Sequence, residues 1–191
     1  MTPTPTATPV RTAVPLPCGA TPDVCATPSV SGAGLLHIKA SHTGQDGSSL
    51  TWKWLKGPAV AKADFGVPTA EDGTNYALCF YDGDRALVAA AQIPAGGVCG
   101  GERACWRKRS SGFLYAGRGT NPDGIESLIL RAGTDGALTA RGGGTGLNRP
   151  VLPVQRLPLT VELKNGNGDC WSASYAATRA NTASAFTAKG E

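Results

Sequence analysis

The chain has 191 residues, 41% of them hydrophobic, 17% charged and 6% aromatic, which is room for one domain with a core plus some extra length. Its apolar runs, such as residues 86–91, fall far short of the ~20 residues that a membrane-spanning helix needs, so no membrane span is expected. The 26 Gly and 14 Pro argue against long helices. A net charge of +4 is mild and shows no clustering along the sequence, so no nucleic-acid partner is expected.

Residues 1–33 form the first segment, a Thr/Pro-rich linker or an extended arm. Pro3, Pro5, Pro9, Pro15, Pro17, Pro22 and Pro28 each remove a backbone donor and fix φ, so this stretch cannot make a helix or a central strand and is predicted to run extended. Met1 enters a Thr-Pro repeat with no basic n-region or apolar h-region, which places the start of the chain after a processing point or at the edge of a larger protein. Thr2, Thr4, Thr6 and Thr8 are candidate O-glycosylation positions in such a tract. An extended arm with no core of its own takes a fixed shape only by lying on something, either its own domain or a neighbouring subunit. Val10, Val14 and Leu16 are the apolar pegs expected to contact the neighbour.

Residues 34–191 read as the second, folded segment. From Leu35 the pattern turns to short runs of period two separated by Gly, Asp, Asn and Pro. Strands are predicted over 35–40, 50–54, 75–81, 85–93, 113–115, 125–131, 137–141, 151–154, 159–164 and 170–175. Leu50, Trp52 and Trp54 share one face, as do Tyr76, Leu78 and Phe80, while Asp82-Gly83-Asp84 supplies a tight turn to the next strand. Ten short strands joined by turn chemistry predict an all-β fold, an antiparallel β-sandwich of immunoglobulin-like or jelly-roll-like type, with the extended N-terminal arm outside it. The run from Gly142 to Gly146 lacks the Gly-Lys-Ser/Thr of a phosphate loop and reads as a flexible hairpin tip.

The six cysteines, Cys18, Cys25, Cys79, Cys99, Cys105 and Cys170, include no Cys-x-x-Cys pair, and point to disulfides in an oxidising, extracytoplasmic setting. The spacing favours Cys99–Cys105 across a short Gly-containing loop, Cys18–Cys25 as a staple within the arm, and Cys79–Cys170 as a core clamp closing about 92 residues, worth roughly 4–5 kcal/mol. Cys105 with Cys170 stays open as an alternative, because each precedes a Trp.

Several segments together resemble a known family: Leu50-Thr51-Trp52-Lys53-Trp54, Asp64-Phe65-Gly66, Tyr76-Ala77-Leu78-Cys79, Ile93-Pro94-Ala95-Gly96-Gly97, Cys105-Trp106, Pro122-Asp123-Gly124-Ile125, Leu130-Arg131-Ala132-Gly133 and Cys170-Trp171. Over about residues 35–188 they are similar to an uncharacterised extracellular β-rich domain that recurs in secreted and cell-surface proteins of environmental bacteria. The resemblance implies a secreted β-module and brings no catalytic or ligand-binding residues with it.

Chemistry is sparse. His37 and His42 read as surface histidines, with no nucleophile elbow for a hydrolytic triad, and no metal or cofactor site is expected. Asp64, Glu71, Asp72, Asp82 and Asp84 are the stock for carboxylate-based glycoside hydrolysis, and Asp82 with Asp84 for calcium, yet the Asp-Gly pairs among them read better as turns. Trp106 and Tyr115 are the candidate platform for a sugar ring, and Arg107-Lys108-Arg109 the run that would meet acidic polysaccharide. The expectation is therefore a non-enzymatic, secreted structural or adhesive cell-surface protein, a subunit of a head-to-tail filament built through its arm. A carbohydrate-binding module is the alternative, and a secreted hydrolase a more distant one.

Overall fold

A computed structural model describes residues 17–41 and 47–190. Among the described residues fourteen strands run β1 (Gly34–Lys39), β2 (Ser49–Trp54), β3 (Tyr76–Tyr81), β4 (Leu87–Ile93), β5 (Val98–Cys99), β6 (Arg103–Ala104), β7 (Trp106–Arg109), β8 (Gly112–Ala116), β9 (Ile125–Arg131), β10 (Ala137–Gly143), β11 (Leu159–Asn165), β12 (Cys170–Tyr175), β13 (Thr178–Asn181) and β14 (Ala185–Lys189). They form an antiparallel sandwich. The larger sheet has eight strands in the order β13-β14-β1-β2-β10-β9-β8-β7, the smaller has four in the order β12-β11-β3-β4, and β5 with β6 makes a short hairpin. Helical structure among the described residues is limited to a 3-10 turn at Lys62–Phe65.

The period-two pattern places the core. From the larger sheet Leu36, Ile38, Leu50, Trp52, Trp54, Leu128, Leu130, Leu138 and Phe186 point inward, and from the smaller Leu78, Phe80, Leu159, Val161, Leu163, Trp171 and Tyr175 meet them. The Trp54 ring N–H donates to the Ser172 carbonyl at 3.2 Å and so ties one sheet to the other. The Asp82 turn is as predicted: its Oδ1 accepts from the N–H groups of Asp84 and Ala86 at 3.0 and 3.1 Å. Residues 151–154, predicted as a strand, instead belong to the irregular connection between β10 and β11, where Pro150 and Pro153 cannot donate to a ladder. The glycines after β10 likewise lead into that crossover and not into a hairpin.

The described part of the arm lies on the outer face of the smaller sheet. Cys18 bonds Cys79 with Cα atoms 5.8 Å apart, and Cys25 bonds Cys170 at 4.9 Å. Between these anchors the Gly19 carbonyl accepts from the Tyr81 hydroxyl at 3.2 Å, Asp23 pairs with Lys164, and Ala26 exchanges hydrogen bonds with the edge of β12. This corrects two expected disulfides. Cys79 and Cys170 lie on β3 and β12 with β11 between them, about two strand spacings or ~10 Å apart, beyond disulfide reach. Cys18 and Cys25 therefore do not staple one another; each takes one of the two strand cysteines. Cys99–Cys105 forms as expected, with Cα atoms 4.9 Å apart, which removes the Cys105–Cys170 alternative. Thr2, Thr4, Thr6, Thr8, Val10, Val14, Leu16 and His42 lie outside the described residues.

Candidate binding face

The described part of the arm lies on the smaller sheet, no described residue of it lies on the outer face of the larger one, and the register shows what gathers there. One unbroken row crosses seven strands as Lys189, Leu35, Lys53, Thr139, Ile129, Leu114 and Arg107. The next row towards one end holds Ala137, Arg131, Gly112 and Arg109. On the other side run Thr187, His37, Thr51, Arg141, Ser127 and Ala116, and beyond them Ala185, Lys39, Ser49 and Gly143. Lys39, Arg107, Arg109, Arg131, Arg141 and Lys189 are exposed and Lys53 is half-buried. Among the described residues on the strands of this sheet, Glu126 is the one carboxylate, and Arg118 pairs with it at 3.4 Å.

This single-sign face is not what fold stability alone selects. Opposite charges across strands contribute about 0.2–1 kcal/mol per pair, yet none of these cations has a carboxylate as its cross-strand partner. A stability-optimised face would mix the signs. Lysine on an outer strand also serves to block edge pairing, which accounts for Arg107 and Arg109 on β7. It does not account for Lys53, Arg131 and Arg141, which sit on the interior strands β2, β9 and β10.

The basic run that stands out in the sequence is divided by the pleat. Arg107 and Arg109 face outward, whereas Trp106 and Lys108 lie on the side of Phe113 and Tyr115. Arg107 also lines a cleft of about 200 Å³ with Arg103 and Arg118, beside the Cys99–Cys105 bridge, which extends the basic surface past the sheet edge. His37 stands on the same open face, where its Nδ1 lies 2.8 Å from the Thr187 hydroxyl.

Trp106 and Tyr115, expected as a sugar platform, are 2% and 1% exposed and cannot form one. Their rings pack in a tilted contact with centroids 5.2 Å apart and planes 53° from parallel, the Trp106 N–H donates to the Pro94 carbonyl at 2.7 Å, and the Tyr115 oxygen accepts from Asn121 at 3.2 Å. Burial pushes the Tyr115 phenol above its ordinary range. Four of the five carboxylates weighed for hydrolysis have structural partners: Asp64 accepts from Ala61 N–H at 2.8 Å, Glu71 accepts from Gly97 N–H at 3.0 Å, Asp82 builds its turn, and Asp84 pairs with Arg156. Asp82 alone of the aspartates lines the apolar cleft of about 400 Å³ formed by Val88 and residues 150–156. No group of three His, Cys, Asp or Glu able to hold a metal ion occurs among the described residues.

Beneath the arm lies Glu162, fully buried, with both carboxylate oxygens lacking a hydrogen-bond partner. Burial is the main cause that pushes its carboxyl up to about 7, with Lys164 beside it pulling the other way.

No family model, curated protein or solved structure matches the chain. The assignment of a role therefore rests on the basic face. Sequence reading missed Lys39, Lys53, Arg131, Arg141 and Lys189, each of which is isolated along the chain. The available signal was that the outward positions of successive predicted strands carry Lys or Arg and almost never Asp or Glu.

Proposed function

We propose that this chain is an extracellular adhesive module that holds acidic polysaccharide on the open face of its larger sheet. The observation that carries this reading is that six strands of one open face turn a Lys or Arg outward while Glu126 is the one carboxylate on the described strands of that sheet, which suits a polyanion. Three disulfides and the absence of any long apolar helix among the described residues are consistent with a secreted or extracellular protein. The reading as a binding module and not an enzyme is supported by the structural engagement of Asp64, Asp82 and Asp84. The expected filament contact through Val10, Val14 and Leu16 gains no support from the described residues, because residues 17–26 are fastened to their own domain.

Retention on immobilised polygalacturonate, compared with neutral dextran, tests the reading. The wild-type protein is expected to bind the acidic polymer at low salt and release as ionic strength rises. The triple variant Lys53→Gln, Arg131→Gln, Arg141→Gln is expected to bind about tenfold more weakly, each exposed contact contributing up to ~1 kcal/mol. Equal retention on both polymers, or a variant that binds like wild type, would refute it.

A further inference from the structure

Resting on the reading of the basic face as a polyanion site, we infer that one anionic sugar residue seats in a cleft between Arg109 and Arg131, its acid group held by the two guanidiniums and its C–H face on Leu114 and Ile129. The register places the two cations. Arg131 on β9 and Arg109 on β7 both stand opposite Gly112 on β8, so they flank one position from either side and no side chain rises between them. The backbone requires glycine there, because a Cβ at this position would lie 1.9 Å from the Leu130 carbonyl oxygen. The gap is therefore fixed by the fold. It opens into a cleft of about 310 Å³, lined by both arginines, Ser111, Leu114 and Ile129. That volume lies at the lower end of the ~300–1,000 Å³ of small-molecule sites, which suits a single sugar residue.

The lining divides the ligand's chemistry. Neither guanidinium has an ion pair or hydrogen bond among the described residues, so both planar forks are free to take the oxygens of an acid group. Ile129 is 40% exposed and Leu114 half-buried, which leaves aliphatic surface that a sugar ring would remove from water. The cleft is also held in shape. Lys62 donates to the Arg109 and Ser110 carbonyls and stands 5.4 Å from the centre of the Phe113 ring, while the Ala132 N–H donates to the Ser111 carbonyl at 2.6 Å. These contacts fasten the turn between β7 and β8, so a ligand has little left to order. Lys189 and Lys53 likewise flank one residue, but there Leu35 fills the position, and an ammonium lacks the paired donors of a guanidinium.

The test follows Arg Nε and Leu and Ile methyl NMR signals during titration with galacturonic acid, glucose 6-sulfate, glucose and acetate at low salt. The two acidic sugars are expected to shift the Arg109 and Arg131 Nε signals together with the Leu114 and Ile129 methyls, and the tighter of the two identifies the acid group. Glucose lacks the acid and acetate lacks the ring, so each is expected to bind at least about fivefold more weakly. The double variant Arg109→Gln with Arg131→Gln is expected to lose the methyl shifts, and Ile129→Thr to weaken galacturonic acid about threefold while acetate is unaffected. Thermal melts confirm that the variants fold, and the wild-type titrations stand independently of them. Retention on polygalacturonate without these shifts, shifts centred on Leu35, acetate binding as tightly as galacturonic acid, or a folded variant that binds like wild type would overturn the cleft and leave the polyanion face standing. Loss of polymer retention together with the shifts would overturn the reading beneath it.

Discussion

Replacing Glu162 with glutamine should stabilise the protein above pH 7 and leave it almost unchanged at pH 5. The carboxyl is fully buried under the arm, neither oxygen is hydrogen-bonded, and its folded pKa stands at about 7 against an ordinary 4.5. Between those values the folded chain holds a proton that the unfolded chain has released. The stability contributed by the neutral carboxyl is therefore fully present below about pH 4.5 and is lost as pH rises through about 7. Each pKa unit corresponds to ~1.4 kcal/mol, so the charged form costs the fold on the order of 3 kcal/mol at pH 8. Glutamine keeps the shape and removes the charge, and Lys164 keeps Asp23 as its partner. Melts at pH 5 and pH 8 should show a variant whose advantage at pH 8 is roughly 6–12 °C for a chain of this size. A variant destabilised at pH 8, or a difference from wild type that is the same at both pH values, would refute the reasoning.

The two arm disulfides should rank by the loops they close. Removing Cys25–Cys170, with a sequence separation of 145, is expected to cost about 5 kcal/mol in urea unfolding and Cys18–Cys79, with a separation of 61, about 4, against about 2 for Cys99–Cys105 at 6. Trp106→Ala should lower stability by ~3–5 kcal/mol in the same assay because the ring is core. Its anion binding below the melt should match wild type, which separates this residue from the ligand site. Gly57→Ala would place a Cβ 1.7 Å from the Trp54 ring, so it should destabilise by about 1–3 kcal/mol or more and perturb the near-ultraviolet tryptophan signal.

What could be read from the residues was whatever the pleat writes locally. Leu50, Trp52 and Trp54 alternate with Thr51 and Lys53, and the strand, its buried face and the sandwich follow from that. The strands β13 and β14 escaped because Thr178–Asn181 and Ala185–Lys189 are short and rich in Ala and Thr, and bury little beyond Phe186 and Ala188. Residues 151–154 misled in the opposite sense, apolar enough for a strand but interrupted by proline. Cysteine pairing depends on which strands are neighbours, and sequence distance gave no hint that β11 separates Cys79 from Cys170. The basic face was hidden for the same reason. Lys53, Arg131 and Arg141 each stand alone in the chain and are collected only by the strand order.

Titration of isotopically labelled protein with a short hyaluronan oligosaccharide at low salt, followed residue by residue by amide NMR shifts, tests the polyanion face most directly. The shifts should fall on β14, β2, β10, β9 and β7 around Lys189, Lys53, Arg141, Arg131 and Arg107, and should vanish as salt is raised. Shifts confined to the arm and the four-stranded sheet, or none at all at saturating oligosaccharide, would contradict it.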